Sequence, residues 1–122
     1  MRDKVIAFDL DDVICYRDEE DGRVKKYHSC KPYYKMIDIV NQCHDQGAHI
    51  VIYTARGMTS FDGNPHDIYD NLYEITKEQL NDWGVKYHKL VMGKLHYDLL
   101  IDDRAINSND VKNTNYIKEM LK

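Results

Sequence analysis

Residues 5–8 and 49–53 are two largely apolar runs, VIAF and HIVIY, and what lies between them fixes how they can be arranged. Each run is too short for a helix and lacks polar alternation, which is how a strand buried on both faces reads. Between them, Tyr33, Met36, Ile37, Val40 and Cys43 recur at three- and four-residue steps, with Pro32 near the first turn and Gly47 just past the end. That pattern predicts an amphipathic helix over residues 32–46. Strands joined by a helical crossover run parallel. The alternation continues through the loop TARGMTSFDGN to a second helix, capped by Asn64, opened by Pro65 and closed by Gly84. Two further apolar stretches follow at 89–92 and 98–101, then a weaker helical signal over 116–121. The expectation is an α/β fold, a Rossmann-like three-layer sandwich around a mainly parallel sheet.

A chain of 122 residues suits one domain, 1–122, with its own hydrophobic core. Apolar residues make up 43% and charged residues 31%, with a net charge of −4. That balance offers no basic field for a nucleic acid polymer, although a local lysine or arginine can still hold a phosphate. No run approaches the ~18 apolar residues of a membrane span, and Asp3 and Lys4 interrupt any signal-peptide pattern at once. Cys15, Cys30 and Cys43 are odd in number and lack CxxC spacing, which reads as reduced thiols in a cytoplasm. The histidines show no HxH or HExxH spacing. Nothing in the sequence bears against a homo-oligomer.

Ligands of open α/β sheets gather at the carboxyl ends of the strands. Asp9 and Asp11 follow the first run, Thr54 and Arg56 the second, and Asp102 and Asp103 the last, with Lys94 in the loop before it. Carboxylates at i and i+2 of an extended chain share one side, where they repel and are expensive to desolvate. A divalent cation removes the difficulty. Asp9, Asp11 and an oxygen from Asp102 or Asp103 make an all-oxygen set that suits magnesium. A lysine beside such an ion points to a phosphate ligand. One aspartate can then attack phosphorus while a second serves as general acid and base.

Four segments in order, IAFDLDDV, IVIYTAR, the lysine of GKLHYDLLIDDR and the acidic pair at its end, resemble the motifs of the haloacid dehalogenase (HAD) phosphatase superfamily. The resemblance implies Asp9 as the nucleophile that becomes phosphoaspartate, and Asp11 as the acid that protonates the leaving alkoxide and later activates water. It implies Thr54 and Lys94 on the phosphoryl oxygens, and Asp102 and Asp103 at a magnesium site that also takes the backbone carbonyl of Asp11. About 40 residues separate the first two motifs and about 40 separate Thr54 from Lys94, each interval filled by one loop and one helix. A HAD-like core without a large cap domain is therefore expected. YHSCKP, YTARGM and GKLHYDLLIDDRAI resemble small phosphatases of bacterial capsule and surface-polysaccharide clusters, which implies a small phosphorylated metabolite, a sugar or polyol precursor, as substrate.

The rival enzyme reading is a nucleotide 5′- or 3′-phosphatase, because LLIDDR also resembles the last motif of deoxyribonucleotidases. A non-catalytic binding protein on the same fold is the reading from another class. Arg56 reads equally as a substrate contact or as the partner of an acid. Residues 16–31 read as a flap or small hairpin turning at Asp21-Gly22, with Lys25, Lys26, His28 and Lys31 on it. Asp12 and Val13 stand where the commonest form of the first motif, DxDGT, has Gly and Thr; Asp12 is left as a turn residue.

Overall fold

The second apolar run becomes the middle strand of a parallel sheet. A computed structural model describes residues 1–17 and 27–122. In chain order the elements are β1 (Val5–Phe8), β2 (Cys15–Tyr16), β3 (Lys31–Pro32), α1 (Tyr34–Asp45), β4 (His49–Thr54), α2 (Pro65–Ile68), a π-helical turn (Tyr69–Tyr73), α3 (Glu74–Asp82), β5 (Lys89–Met92), a 3-10 turn (Ser108–Asp110) and α4 (Thr114–Met120). The sheet has the order β1-β4-β5 and both ladders are parallel, pairing Val5 with His49 and Val51 with Lys89. The chain is a mixed α/β protein.

The helices start and stop where the sequence provides for it. Asn64 accepts a hydrogen bond from the Asp67 N–H, Pro65 opens α2, and α2, the π-helical turn and α3 run on without a break to Asp82. Gly47, at φ +97°, ends α1 in the left-handed conformation that glycine adopts without a Cβ clash. Its N–H donates to the His44 carbonyl while Ala48 N–H donates to the Cys43 carbonyl. Gly57 has a second reason to be glycine: a Cβ there would stand 2.7 Å from Leu72 Cδ1, so its absence lets the loop after β4 lie against the second helical crossover.

Two expectations are corrected. Burial on both faces holds for neither strand: Ile50, Ile52 and Thr54 of β4 are buried while His49 and Tyr53 are exposed, and Val5 of β1 is 66% exposed. Burial alternates along β4, so one face of this middle strand is open, and β1, which among the described residues pairs with β4 alone, forms one edge of the sheet. The stretch 98–101 is not a strand; Leu99 and Ile101 are exposed, the latter at 90%. The hairpin expected at 16–31 is supported at its described ends, where Cys15 pairs with Pro32 and Tyr16 with Lys31 in an antiparallel ladder. Asp21, Gly22, Lys25 and Lys26 lie outside the described residues.

The core is built from Leu10, Ile14, Ile37, Val40, Ile50, Ile52, Ile68 and Leu80, all nearly inaccessible to solvent. Truncating any of these to alanine removes packing worth about 2–5 kcal/mol. Leu10 and Ile14 matter for the site. They are the apolar anchors of a tight turn in which the N–H groups of Val13, Ile14 and Cys15 all donate to the Leu10 carbonyl. Burying those two side chains sets the direction of the acids that flank them.

Candidate active site

An open cleft of about 380 Å³ lies at the carboxyl end of the sheet. Asp9, Asp11, Thr54, Arg56 and Lys94 line it together, so the structure gathers five of the seven residues singled out above. Asp9 leaves β1 with its Oδ1 accepting from the Leu10 N–H at 2.8 Å and its Oδ2 3.1 Å from Lys94 Nζ. Lys94 is placed by a backbone bond from its N–H to the carbonyl of Thr54, across the strand ends. Burial opposes its charge, but the hydrogen bond and charge of Asp9, with a contribution from Tyr97, outweigh burial and raise its pKa. The ammonium also sits 5.3 Å from the Tyr97 ring centre.

Asp11 is held differently. The Arg56 side chain is 1% exposed and forks onto it, Nε to Oδ2 at 3.0 Å and Nη2 to Oδ1 at 3.0 Å. Nη1 donates to Thr76 Oγ1 at 3.1 Å and Gln79 Oε1 at 2.6 Å, tying the fork to α3. Nη2 also approaches the sulfurs of Cys15 and Cys30, at 3.7 and 3.6 Å. All five guanidinium N–H donors are thereby engaged. Burial opposes the Arg56 charge as well, and Asp11 restores it. Of the two roles weighed for Arg56, the structure shows pairing with an acid, and Arg56 also lines the cleft. Thr54 is buried, and its Oγ1 accepts the Arg56 N–H at 3.1 Å.

Asp102 and Asp103 are not among the residues lining the cleft. Both are exposed, and they interact locally: Asp103 and the Arg104 N–H hold the Asp102 carboxyl below its usual range. Residues 98–101 pair with no strand among the described residues, and in this arrangement Asp102 and Asp103 stand outside the cleft that Asp9 and Asp11 line. Asp9 and Asp11 each face a cation of the protein itself. Among the described residues the donor atoms that converge are those of Asp11, Cys15 and Cys30, all within 4.8 Å of one another. Two sulfurs beside a guanidinium do not suit magnesium, which takes oxygen ligands.

Sequence reasoning passed over Arg17, Tyr27, Thr59, His96 and Tyr97, which also line the cleft. Their only signal was loop position near a motif. His28 and Lys31 do not line it. Asp12 has φ +68° and donates its N–H to the Cys15 carbonyl at 2.7 Å. The left-handed backbone accounts for the glycine usual at this place in DxDGT, and aspartate is among the residues that tolerate it.

No family model matches the chain, and no curated protein does. The crystal structure of an MCSG target from Vibrio cholerae is similar over 96% of this chain and 95% of that one, at 28% identity and a TM-score of 0.82. Among the described residues no helix is long and apolar enough to cross a membrane.

Proposed function

We propose that the chain is a phosphomonoester hydrolase of the HAD type, with a Rossmann-like three-layer core and no large cap, working through an aspartyl-phosphate. The observation that carries this reading is the pairing of Asp9 with Lys94 in an open cleft where the three parallel strands end. An exposed carboxylate oxygen beside an ammonium is suited to receive a phosphoryl group, because the ammonium offsets the charge that collects on its oxygens. Asp9 attacks phosphorus, the ester P–O bond breaks, and the leaving alkoxide takes the proton of an Asp11 that has entered the step in its protonated form. Water then attacks the phosphoaspartate with Asp11 as base, releasing inorganic phosphate. For this Asp11 has to exchange one contact with Arg56 for substrate or water; Arg56 keeps the side chain aimed at the cleft.

Magnesium is the cofactor this reading names, and when bound it would neutralise the phosphoryl oxygens. Asp9 and the backbone carbonyl of Asp11 would hold it, together with Asp102 or Asp103. Since that acidic pair stands apart from the cleft, the steps above use only the chain's groups at the cleft. Arg17, His96 and the rings of Tyr27 and Tyr97 give the mouth a cationic and aromatic lining, which is compatible with a small sugar or polyol phosphate. The test is phosphate release from a panel of sugar, polyol and nucleotide monophosphates, with magnesium and with a chelator. Release from sugar or polyol phosphates that needs the metal is expected. A preference for nucleotides removes the glycan assignment, and no release from any member removes the hydrolase.

A further inference from the structure

We propose that Cys15 and Cys30 are a peroxide-oxidisable pair that closes reversibly into an intramolecular disulfide beside the cleft. This rests on the packing around the two sulfurs and not on the hydrolase reading. In the β2–β3 ladder Cys15 lies opposite Pro32, and Cys30 stands immediately before Lys31, the first residue of β3. Both sulfurs approach one carboxylate oxygen, Asp11 Oδ1, at 3.4 Å from Cys15 and 3.7 Å from Cys30. Both also receive the same guanidinium nitrogen, Arg56 Nη2. Convergence on two shared atoms leaves the sulfurs no more than 4.8 Å apart. A disulfide bond is about 2.05 Å long, a difference that side-chain rotation and a small strand adjustment can close.

The same geometry argues against a metal as the occupant of this cluster. A thiophilic cation between the sulfurs would lie against the Arg56 guanidinium, which has no other acid partner than Asp11 among the described residues. A neutral disulfide has no such conflict. It also leaves Asp11 its two charged hydrogen bonds to Arg56 while removing the two S–H donors.

The oxidant is a hydroperoxide. Cys30, at 8% exposure against 1% for Cys15, is the less deeply buried of the two and is taken as the sulfur that reacts first. Its sulfur attacks one peroxide oxygen, the O–O bond breaks, and with hydrogen peroxide one water leaves, giving a sulfenic acid. Cys15 then attacks that sulfur and expels a second water. Two thiols and one hydrogen peroxide become one disulfide and two waters, and a dithiol reductant reverses the change. Cys43 is buried on α1, away from this cluster, in surroundings that include Lys118 and the amino terminus. It serves as the internal control.

The test treats the native full-length chain with hydrogen peroxide, alkylates under denaturing conditions and reads intact mass and peptide maps. The expected result is a loss of about two mass units for the two hydrogens. Alkylatable thiols fall from three to one, with a cross-linked Cys15–Cys30 peptide that dithiothreitol releases. Cys43→Ser should keep the cross-link and Cys30→Ser should lose it. Persistence of three alkylatable thiols, oxidation of Cys30 to sulfinic acid without a cross-link, or cross-linking only in urea would each overturn the proposal. None of these readouts depends on phosphate release.

Discussion

The two ends of the parallel sheet carry opposite kinds of chemistry. At the carboxyl end, two aspartates face two cations, Lys94 and Arg56, around a cleft of about 380 Å³. At the amino end there is a larger hollow, about 540 Å³, lined by His44, His88, Lys77, Lys86 and Lys89. There the rings of His44, His88 and His49 stack at 4.9 and 4.6 Å. Volume alone would favour the amino end. What distinguishes the carboxyl end is that both members of its ion pairs line the cleft, whereas Asp45, the acid paired with Lys86 at the amino end, does not line the hollow there. The stacked rings at the amino end face one another and bring no carboxylate into the hollow.

The largest effects are expected at the carboxyl end. Asp9→Asn keeps the size of the side chain and one of its two acceptors but removes the proposed nucleophile and its ion pair with Lys94. Phosphate release should fall on the order of 10³-fold or more, equivalent to about 4 kcal/mol of barrier, with the denaturation midpoint little changed. Turnover within tenfold of wild type would move the reactive group elsewhere. Arg56→Met should destabilise the fold by about 3–5 kcal/mol, because Asp11 is left partly buried without its partner. The double variant Asp11→Leu with Arg56→Met should regain most of that loss in urea titrations while remaining inactive. If the double variant is as unstable as the single one, Arg56 supports the fold through Thr76 and Gln79 rather than through Asp11.

The amino end should answer to pH instead. His88 Nδ1 accepts the Ile50 N–H at 3.0 Å, so this nitrogen carries no proton. Desolvation of the ring, and then the neighbouring His49 and His44, lower the His88 pKa below its ordinary 6.5. A depressed folded-state value means that the unfolded chain binds the proton more readily. Stability is therefore full above about pH 6.5 and declines as the pH falls through the folded value. His88→Asn offers a side-chain oxygen to Ile50 without titrating, so it should flatten this decline between pH 7.5 and pH 5. Identical slopes for variant and wild type, by chemical denaturation, would detach the stack from acid sensitivity. Asp45, paired with Lys86 at 3.1 Å beside the stack, has its carboxyl held below the usual range by His44 and then Lys86, so it stays ionised across that interval.

The parallel pairing was legible because an amphipathic helix between two apolar runs leaves few alternatives. Asp9, Asp11, Thr54 and Lys94 could be placed at one end of the sheet because position along the chain determines which end of a parallel strand a residue follows. Strand order was not legible, since an edge strand and a central one can both read as VIAF or HIVIY. Arg56 shows a second limit: its burial depends on Thr76 and Gln79 of α3, and no local pattern ties a loop arginine to a helix 20 residues away. Asp12 could have been recognised from the glycine usual at its place, which marks a left-handed backbone. Asp12→Gly should accordingly stabilise by up to about 1 kcal/mol, and Asp12→Val should destabilise by a similar amount or more. Equal midpoints for the two would show that φ +68° does not persist in solution.

The smallest expected effect bears on the widest question, whether Asp102 and Asp103 join the carboxyl end. They sit directly after Leu99, Leu100 and Ile101, and all three apolar side chains are exposed. A side chain 90% exposed contributes little to stability, so Ile101→Ser should shift the denaturation midpoint by no more than about 0.5 kcal/mol. A β-branched residue packed into a sheet would instead lose roughly 2 kcal/mol or more on the same change. A loss of that size would place 98–101 against the body of the protein, and the available flank is the outer edge of β1, which pairs with no other strand among the described residues. The acidic pair would then follow a strand beside β1, as Asp9 follows β1 itself. Repeating the measurement with and without magnesium sharpens the result. An ion held jointly by Asp9 and Asp102 or Asp103 should stabilise the wild type, and Ile101→Ser should weaken that gain if the segment carries the ligands.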